Sequence, residues 1–202
     1  MHTTSLGKIP AIGMSFWLFK VLASTLGDLS GDLLSIALHL GYRLALAATV
    51  LAMLALLFAQ LRSKRLRPWL FWALMLASSA VGAEVSDALA RALGWGTAAT
   101  AFVLLGGLVA ILLSWGMCRG LPAPGFIGNR CDEVWFWVAA LAGNAFGSVL
   151  GDLLGDRWGL GLAASSALYA AMLAAFWALG RATRIDRRLL FWAAFVPSRI
   201  PF

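Results

Sequence analysis

The sequence predicts an all-α, polytopic transmembrane helical bundle, and three observations support this fold class. First, its 202 residues are 61% hydrophobic and only 12% charged, with a mean hydropathy of +0.85. Soluble domains are about 45–50% apolar and about 25% charged. Second, apolar runs of membrane-spanning length recur along the chain. Third, these runs form repeating pairs. Together these observations exclude a water-soluble enzyme core.

Six apolar runs predict full spans, because crossing about 30 Å of hydrocarbon takes about 20 helical residues. They cover residues 11–34, 40–61, 69–89, 95–117, 134–154 and 158–179. The first run is expected to be a span and not a signal peptide, since residues 1–15 contain only Lys8 and no small-residue cleavage site. A seventh run is a C-terminal stub from Leu189, because Pro197 and Pro201 oppose a longer helix.

Basic residues are concentrated in alternate connections, which predicts the orientation of the bundle. Eleven of the 16 basic residues lie there: Lys8, Arg62, Lys64, Arg65, Arg67, Arg119, Arg130, Arg181, Arg184, Arg187 and Arg188. The opposite connections hold only Arg43, Arg91 and Arg157. Because basic loops remain in the cytoplasm, the N-terminus is predicted to be cytoplasmic. The net charge of +7 is thus expected to reflect topology and contact with the lipid bilayer, with no nucleic acid as a partner.

A repeated dipeptide divides the chain into two-helix units. Phe-Trp occurs at Phe16-Trp17, Phe71-Trp72, Phe136-Trp137 and Phe191-Trp192. In the first three copies a glycine lies eleven residues after the Phe and an aspartate five residues after that glycine: Gly27 and Asp32, Gly82 and Asp87, Gly147 and Asp152. We predict a single membrane domain over 1–202, with parallel repeats at about 11–67, 68–120 and 132–185 and a partial repeat at 187–202.

The fourth copy departs from the pattern. Its glycine position is Phe202, and its aspartate position lies beyond that residue. Two interpretations stay open. The chain is a shortened version of a four-unit protein, or the stub lies at the membrane interface while a second protomer completes the bundle as a homodimer.

Small residues recur at every fourth position on the first helix of each unit. They are Ala23, Gly27, Gly31 and Ser35 in the first, Ser78, Gly82, Ser86 and Ala90 in the second, and Gly143, Gly147, Gly151, Gly155 and Gly159 in the third. This spacing lets membrane helices approach one another closely. The first helices of the units are therefore predicted to pack together at the centre.

A polar stripe lies one residue further round the same helices. It contains Lys20, Ser24, Asp28, Asp32, Ser79, Asp87, Asn144, Ser148, Asp152 and Asp156, with Glu84 on a neighbouring face. Six of the nine acidic residues belong to this set, and the other three fall in predicted loops. Carboxylates within spans cost about 3 kcal/mol and usually mark ion pathways or paired sites. We predict a shared polar interior with Asp32, Asp87 and Asp152 as a ring at one depth.

The donor chemistry of this stripe favours a cation transporter. Carboxylate, Ser and Asn oxygens suit protons or hard divalent ions such as Mn²⁺ and Mg²⁺. The predicted ion pathway or metal site contains Asp28, Asp32, Glu84, Asp87, Asp152 and Asp156. No cofactor is expected beyond such a divalent cation. Lys20 is either the counter-charge of Asp28 or an internal cation that competes with the transported one.

Two other classes of function remain. In a membrane scaffold or regulatory partner protein, the acids would be structural and would pair with Arg43, Arg91 and Arg157. An enzyme needs a nucleophile and a base within reach of each other. The two histidines, His2 and His39, both fall outside the interior of any predicted span. We therefore expect a protein that is not an enzyme.

The motifs resemble a bacterial membrane-protein family of tandem two-span repeats of unknown function, usually with four repeats. The resemblance rests on Phe16-Trp17 with Lys20, Thr25-Leu26-Gly27-Asp28 and Gly31-Asp32-Leu33, and on Phe136-Trp137 with Ala145-Phe146-Gly147 and Gly151-Asp152-Leu153-Leu154. It covers most of the chain and is weaker in the second copy. It implies a multi-pass protein of the bacterial inner membrane and implies no activity.

Overall fold

A computed structural model describes residues 7–33, 42–94, 96–122, 127, 129–157, 161–182 and 186–199. Within these residues the chain forms seven α-helices: α1 (Met14–Asp32), α2 (Tyr42–Arg62), α3 (Pro68–Leu93), α4 (Gly96–Arg119), α5 (Arg130–Asp152), α6 (Gly161–Ala182) and α7 (Arg187–Phe195). A π-helical turn, Leu153–Arg157, continues α5. The positions of the helices agree with those of the six apolar runs and the stub to within a few residues.

Four of these helices are long and apolar enough to cross a membrane. The qualifying stretches are Arg43–Arg62, Pro68–Arg91, Gly96–Arg119 and Arg130–Gly155. Helix α6 contributes a shorter apolar stretch, Ser166–Ala182, and the 19 residues of α1 include Lys20, Asp28 and Asp32. The predicted all-α membrane bundle is confirmed in the described part of the chain.

Local sequence explains several helix ends. Pro68 occupies the first turn of α3, where a missing backbone N–H costs nothing. The same helix ends at Gly94, whose φ of 60° is the left-handed conformation that glycine adopts without strain. Asp186 caps α7, because its carboxylate accepts a hydrogen bond of 2.9 Å from the backbone N–H of Arg188.

The start of α5 corrects one expectation. Asp132 and Glu133 were expected in a loop, but both lie in the first turn of this helix. The side chain of Asn129 caps the helix by accepting a hydrogen bond of 2.8 Å from the backbone N–H of Asp132. Asp132 in turn accepts a hydrogen bond of 3.2 Å from the indole of Trp115 and thereby ties α5 to α4.

The helices form an inner and an outer set. Helix α1 packs on α3 and α3 packs on α5, while α2 packs on α3, α4 on α5 and α6 on α7. Helices α3 and α5 are mostly buried, whereas α2 and α4 are mostly exposed. We refer to α1, α3, α5 and α7, the first helix of each Phe-Trp unit, as the inner helices.

Glycines lie where inner helices touch. A Cβ atom on Gly27 would lie 2.7 Å from the carbonyl oxygen of Leu76, and one on Gly82 would lie 2.9 Å from the backbone nitrogen of Ala145. A Cβ atom on Gly147 would meet the backbone of the turn after α7 at 3.0 Å. Each of these glycines faces the next unit along the chain, so the same contact is repeated three times.

Other members of the small-residue stripe have different neighbours. Gly31 faces Glu84, and Gly143 faces Phe195. Gly151 is buried, and Gly155 lies in the π-helical turn. Ser35 and Gly159 lie outside the described residues.

The fourth copy is part of the core of this single chain. Phe191, Trp192 and Phe195 of α7 are all buried, and so is Arg199, in the bend that follows the helix. Burial of apolar surface and close packing hold α7 against the other inner helices. Its short length therefore does not make it peripheral.

Candidate functional site

Four phenylalanines form a closed ring at one end of the inner helices. Successive ring centroids are 6.4, 6.3, 6.5 and 6.0 Å apart around Phe16, Phe71, Phe136 and Phe191. The tryptophan that follows each one packs on the phenylalanine of the preceding copy, with Trp17 closing the circuit on Phe191 at 5.7 Å. The four copies therefore surround one axis, and the fourth copy closes the circle.

Polar side chains meet on this axis beyond the aromatic ring. The residue eight positions after each phenylalanine is polar in all four copies, at Ser24, Ser79, Asn144 and Arg199. Eight helical residues correspond to about 12 Å, so in the three long helices this layer lies about 12 Å along the helix from the aromatic ring. All four residues are buried. We call these residues, together with Lys20 and Asp28, the polar centre.

Asn144, on the third copy, contacts each of the other three copies. Its side-chain oxygen accepts a hydrogen bond of 3.0 Å from the ammonium of Lys20, and its side-chain nitrogen donates one of 3.1 Å to Ser78. Its backbone oxygen accepts a hydrogen bond of 3.0 Å from Arg199. Because every polar group of a buried amide needs a partner, this residue aligns α1, α3 and the segment after α7 around α5.

Lys20 is fully buried between hydrogen-bond acceptors and an aromatic face. Its ammonium donates to the hydroxyl of Ser24 at 2.7 Å as well as to Asn144. It also lies 4.5 Å from the centroid of the Phe195 ring, which is the geometry of a cation–π contact. These contacts replace part of the hydration that the ammonium loses on burial.

Arg199 is the counter-ion of Asp28. One of its terminal nitrogens is paired with the Asp28 carboxylate. The other donates to the backbone oxygen and the hydroxyl of Ser79, both at 3.1 Å, and to the backbone oxygen of Asn144. The guanidinium is 2% exposed. Its electrostatic neighbours include Asp87 and Asp152 in addition to Asp28.

Arg199 was not among the residues singled out in the sequence, although a signal for it existed. Continuing the polar stripe into the fourth copy leads from Ser24, Ser79 and Asn144 to this residue. The two prolines beside it indicated a broken helix and obscured the register. Asp28 forms an ion pair with Arg199, and Lys20 is a second cation in the electrostatic environment of the same carboxylate, so both roles considered for Lys20 stay open.

Two members of the predicted ring of aspartates lie at the surface of the bundle. Asp87 and Asp152 are exposed, and Asp87 lies 3.8 Å from Arg91 on its own helix. The side chains of Asp32 and Asp156 lie outside the described part of the structure. Among the aspartates whose side chains the structure describes, Asp28 is the one that enters the polar centre. Among the described residues, no group of three or more His, Cys, Asp or Glu side chains is placed to hold a metal ion.

Glu84 lies apart from the axis, between α1, α2 and α3. Its carboxylate accepts a hydrogen bond from the hydroxyl of Thr49, and a Cβ atom on Gly31 would lie 3.5 Å from its Oε1. Ser148, one turn beyond Asn144, is half-buried. The predicted polar residues are thus divided between the centre and an α1–α2–α3 contact.

A second buried ionic contact joins the N-terminal segment to the bundle. Lys8 lies 2.7 Å from the carboxylate of Glu133, which also accepts a hydrogen bond of 3.1 Å from Gln60. The backbone N–H of Lys8 donates to the carbonyl of Ile127. These contacts place the N-terminal segment, the end of α2 and the start of α5 at the same end of the molecule.

Comparison with known proteins identifies the repeated unit. Residues 15–66 and 70–120 each match the family described as Repeat of Unknown Function (DUF347). The first matched segment contains α1 and α2, and the second contains α3 and α4. No curated protein and no solved structure matches this chain. The matched description supplies no activity, so function has to be inferred from the polar centre.

Proposed function

We propose that this chain, which belongs to the DUF347 family of repeats, transports a cation across the membrane through the centre of its four inner helices. The observation that carries this proposal is the guanidinium of Arg199, held by Asp28 and by acceptors on two further helices. Charges in a membrane interior are costly and usually mark ion pathways or relays. A centre that holds a cation of its own chain has the acceptors that a passing cation needs.

The charges of the centre favour a singly charged cation over a divalent metal. Among the described residues of the polar centre, Lys20 and Arg199 are two positive groups and Asp28 is the one carboxylate, while Asp87 and Asp152 act on Arg199 from exposed positions outside the centre. Like charges repel strongly where the effective dielectric constant is low, and the repulsion doubles for a divalent ion. We therefore propose that the transported species is a monovalent cation or a proton, and that Asp28 alternates between this species and Arg199.

A membrane scaffold is the second candidate, and one observation favours it. Asp87 lies 3.8 Å from Arg91, one of the arginines with which structural acids were expected to pair. Arg43 is exposed, and the side chain of Arg157 lies outside the described residues. In the scaffold, Arg199 and Asp28 would hold α7 against α1 and move no ion.

Flux measurements in proteoliposomes distinguish the two candidates. The assay records cation-driven pH changes and isotope uptake for H⁺, Na⁺, K⁺, guanidinium and Mn²⁺. We expect flux in the unchanged protein and at least a tenfold loss in Asp28→Asn at equal incorporation. Asp186→Asn is the matched control, because Asn keeps the cap of α7 while the same charge is removed outside the centre.

The transport proposal fails if intact protein moves none of these ions. It also fails if Asp28→Asn retains the flux of the unchanged protein. Loss of folding in Asp28→Asn, together with an absence of flux in the unchanged protein, would support the scaffold.

We further propose that the protein resides in a bacterial inner membrane with its N-terminus in the cytoplasm, is not an enzyme and binds no nucleic acid. The orientation is tested with Arg65→Cys and Arg91→Cys, each introduced into a variant that lacks Cys118 and Cys131. Each single-cysteine variant is labelled in intact cells. Only the cysteine at 91 should react with an impermeant reagent. A homodimer is still proposed as the assembly, although the fourth copy of the same chain closes the ring of inner helices, and a monomer mass in detergent would contradict it.

A further inference from the structure

The acceptors around Arg199 have the arrangement that a guanidinium needs. Three neutral oxygens, two from Ser79 and one from Asn144, face one terminal nitrogen, and the carboxylate of Asp28 faces the other. These acceptors come from three inner helices and lie along different edges of one planar group. A guanidinium has five N–H donors in a fixed plane, so one terminal nitrogen shares its two N–H groups among the three neutral oxygens while the other donates to Asp28.

Next to the guanidinium of Arg199, the polar centre holds a second positively charged side chain, that of Lys20. The ammonium of Lys20 donates to Ser24 and Asn144 and lies over the face of Phe195. Aromatic faces attract ammonium and guanidinium groups that have lost their water. Asn144 belongs to both positions, because its side-chain oxygen accepts a hydrogen bond from Lys20 and its backbone oxygen accepts one from Arg199.

We propose that the polar centre is a binding site for organic cations with a guanidinium or ammonium group, and that Arg199 is its built-in occupant. This inference rests on the proposed transport function and names the class of cation for it. Arg199 lies in a bend after α7 and not within a helix. Its side chain can therefore leave the centre without unwinding a helix, and the transported cation takes its place beside Asp28.

Replacing the occupant tests the site directly. Arg199→Ala should lower the melting temperature of the detergent-solubilised protein, because Asp28 and the acceptors on Ser79 lose their partner. Guanidinium chloride at about 10 mM should raise the melting temperature of this variant by about 3 °C, since a ligand that binds only the folded state stabilises it. Equal concentrations of NaCl and tetramethylammonium chloride, which offer no N–H donor, should have no such effect.

Two further variants make the outcome specific. In Asp28→Asn/Arg199→Ala the guanidinium effect should disappear, because the charged acceptor is gone. If Arg199→Ala does not fold, Arg199→Lys takes its place, since its ammonium leaves part of the guanidinium position open. Absence of a guanidinium effect in whichever of these two variants folds would overturn the proposal.

Transport is measured separately so that the two proposals can fail independently. Uptake of labelled guanidinium by proteoliposomes with the unchanged protein is expected, and excess methylammonium should compete with it. If Na⁺ or K⁺ is transported, but guanidinium is neither taken up nor able to stabilise Arg199→Ala, the proposed class of organic cations is rejected and the transport proposal stands. If guanidinium raises the melting temperature of Arg199→Ala but no ion is transported, the transport proposal is rejected and the binding-site proposal stands.

Discussion

Single side chains hold the four copies in register, and Asn144 is the clearest case. Its amide contacts Lys20 on α1 and Ser78 on α3, and its backbone oxygen contacts Arg199 after α7. In a membrane, apolar side chains gain little by leaving lipid, so hydrogen bonds and close packing determine which helices meet. The loss of one well-placed amide therefore affects several helix contacts.

Asn144→Ala should destabilise the protein by about 2 kcal/mol, because the ammonium of Lys20 loses one of its acceptors and Ser78 loses a donor. Thermal unfolding in detergent measures this as a fall in melting temperature of about 4–8 °C. Ser148→Ala, one turn further along the same stripe, serves as the control and should change the melting temperature much less. Equal effects in the two variants would contradict the role assigned to Asn144.

At the scale of elements, the inner helices approach one another through glycine. The contact of Gly82 with Asn144 and Ala145 brings α3 and α5 to backbone distance, and Gly27 does the same for α1 and α3. Dispersion contacts fall off steeply with distance, so even one methyl group at such a contact separates the helices and weakens many other contacts. Close approach also brings the polar side chains of neighbouring helices within hydrogen-bond distance.

Gly82→Ala should therefore lower stability by about 1–3 kcal/mol, since its Cβ atom would lie 2.9 Å from backbone and side-chain atoms of α5. The matched control is Gly107→Ala on α4, where a Cβ atom meets nothing within 4 Å. That change should be neutral or slightly stabilising, because alanine is the better helix former. Melting temperatures of the two variants decide the matter, and a harmless Gly82→Ala would show that α3 and α5 can separate freely.

At the scale of the whole molecule, four copies surround one axis, and the described part of the fourth copy is a short helix and a turn. The phenylalanine ring closes through Phe191, and the polar layer closes through Arg199. The repeated glycine contacts also extend to the turn after α7. A closed arrangement has no free end among the inner helices, so each copy contributes to the stability of the others.

Phe191→Ala should consequently destabilise the protein about as much as Phe71→Ala does, by about 3–5 kcal/mol each, because both remove a buried ring from the same circle. Phe102→Ala is the control, since that ring is 75% exposed on α4. Unfolding in detergent with increasing denaturant measures the three variants. If Phe191→Ala resembles the control, the fourth copy is not part of a closed ring.

Much of the architecture could be predicted because it depends on residues close together in the chain. Apolar runs of about 20 residues identify helices, and small residues at every fourth position identify the face that packs closely. The repeat of Phe-Trp also identified equivalent positions in all four copies. These patterns were sufficient to locate the polar stripe and to include Lys20, Asp28 and Asn144 in it.

The partners within the centre depend on residues far apart in the chain. Asp28 and Arg199 are separated by 171 positions, and Lys20 and Asn144 by 124. Charge and spacing in the sequence specify that a buried carboxylate needs a counter-charge, but they do not specify which cation folds back to reach it. Burial in the closed bundle makes that choice, because an unpaired charge in the membrane interior costs more than bending the chain after α7 to pair it.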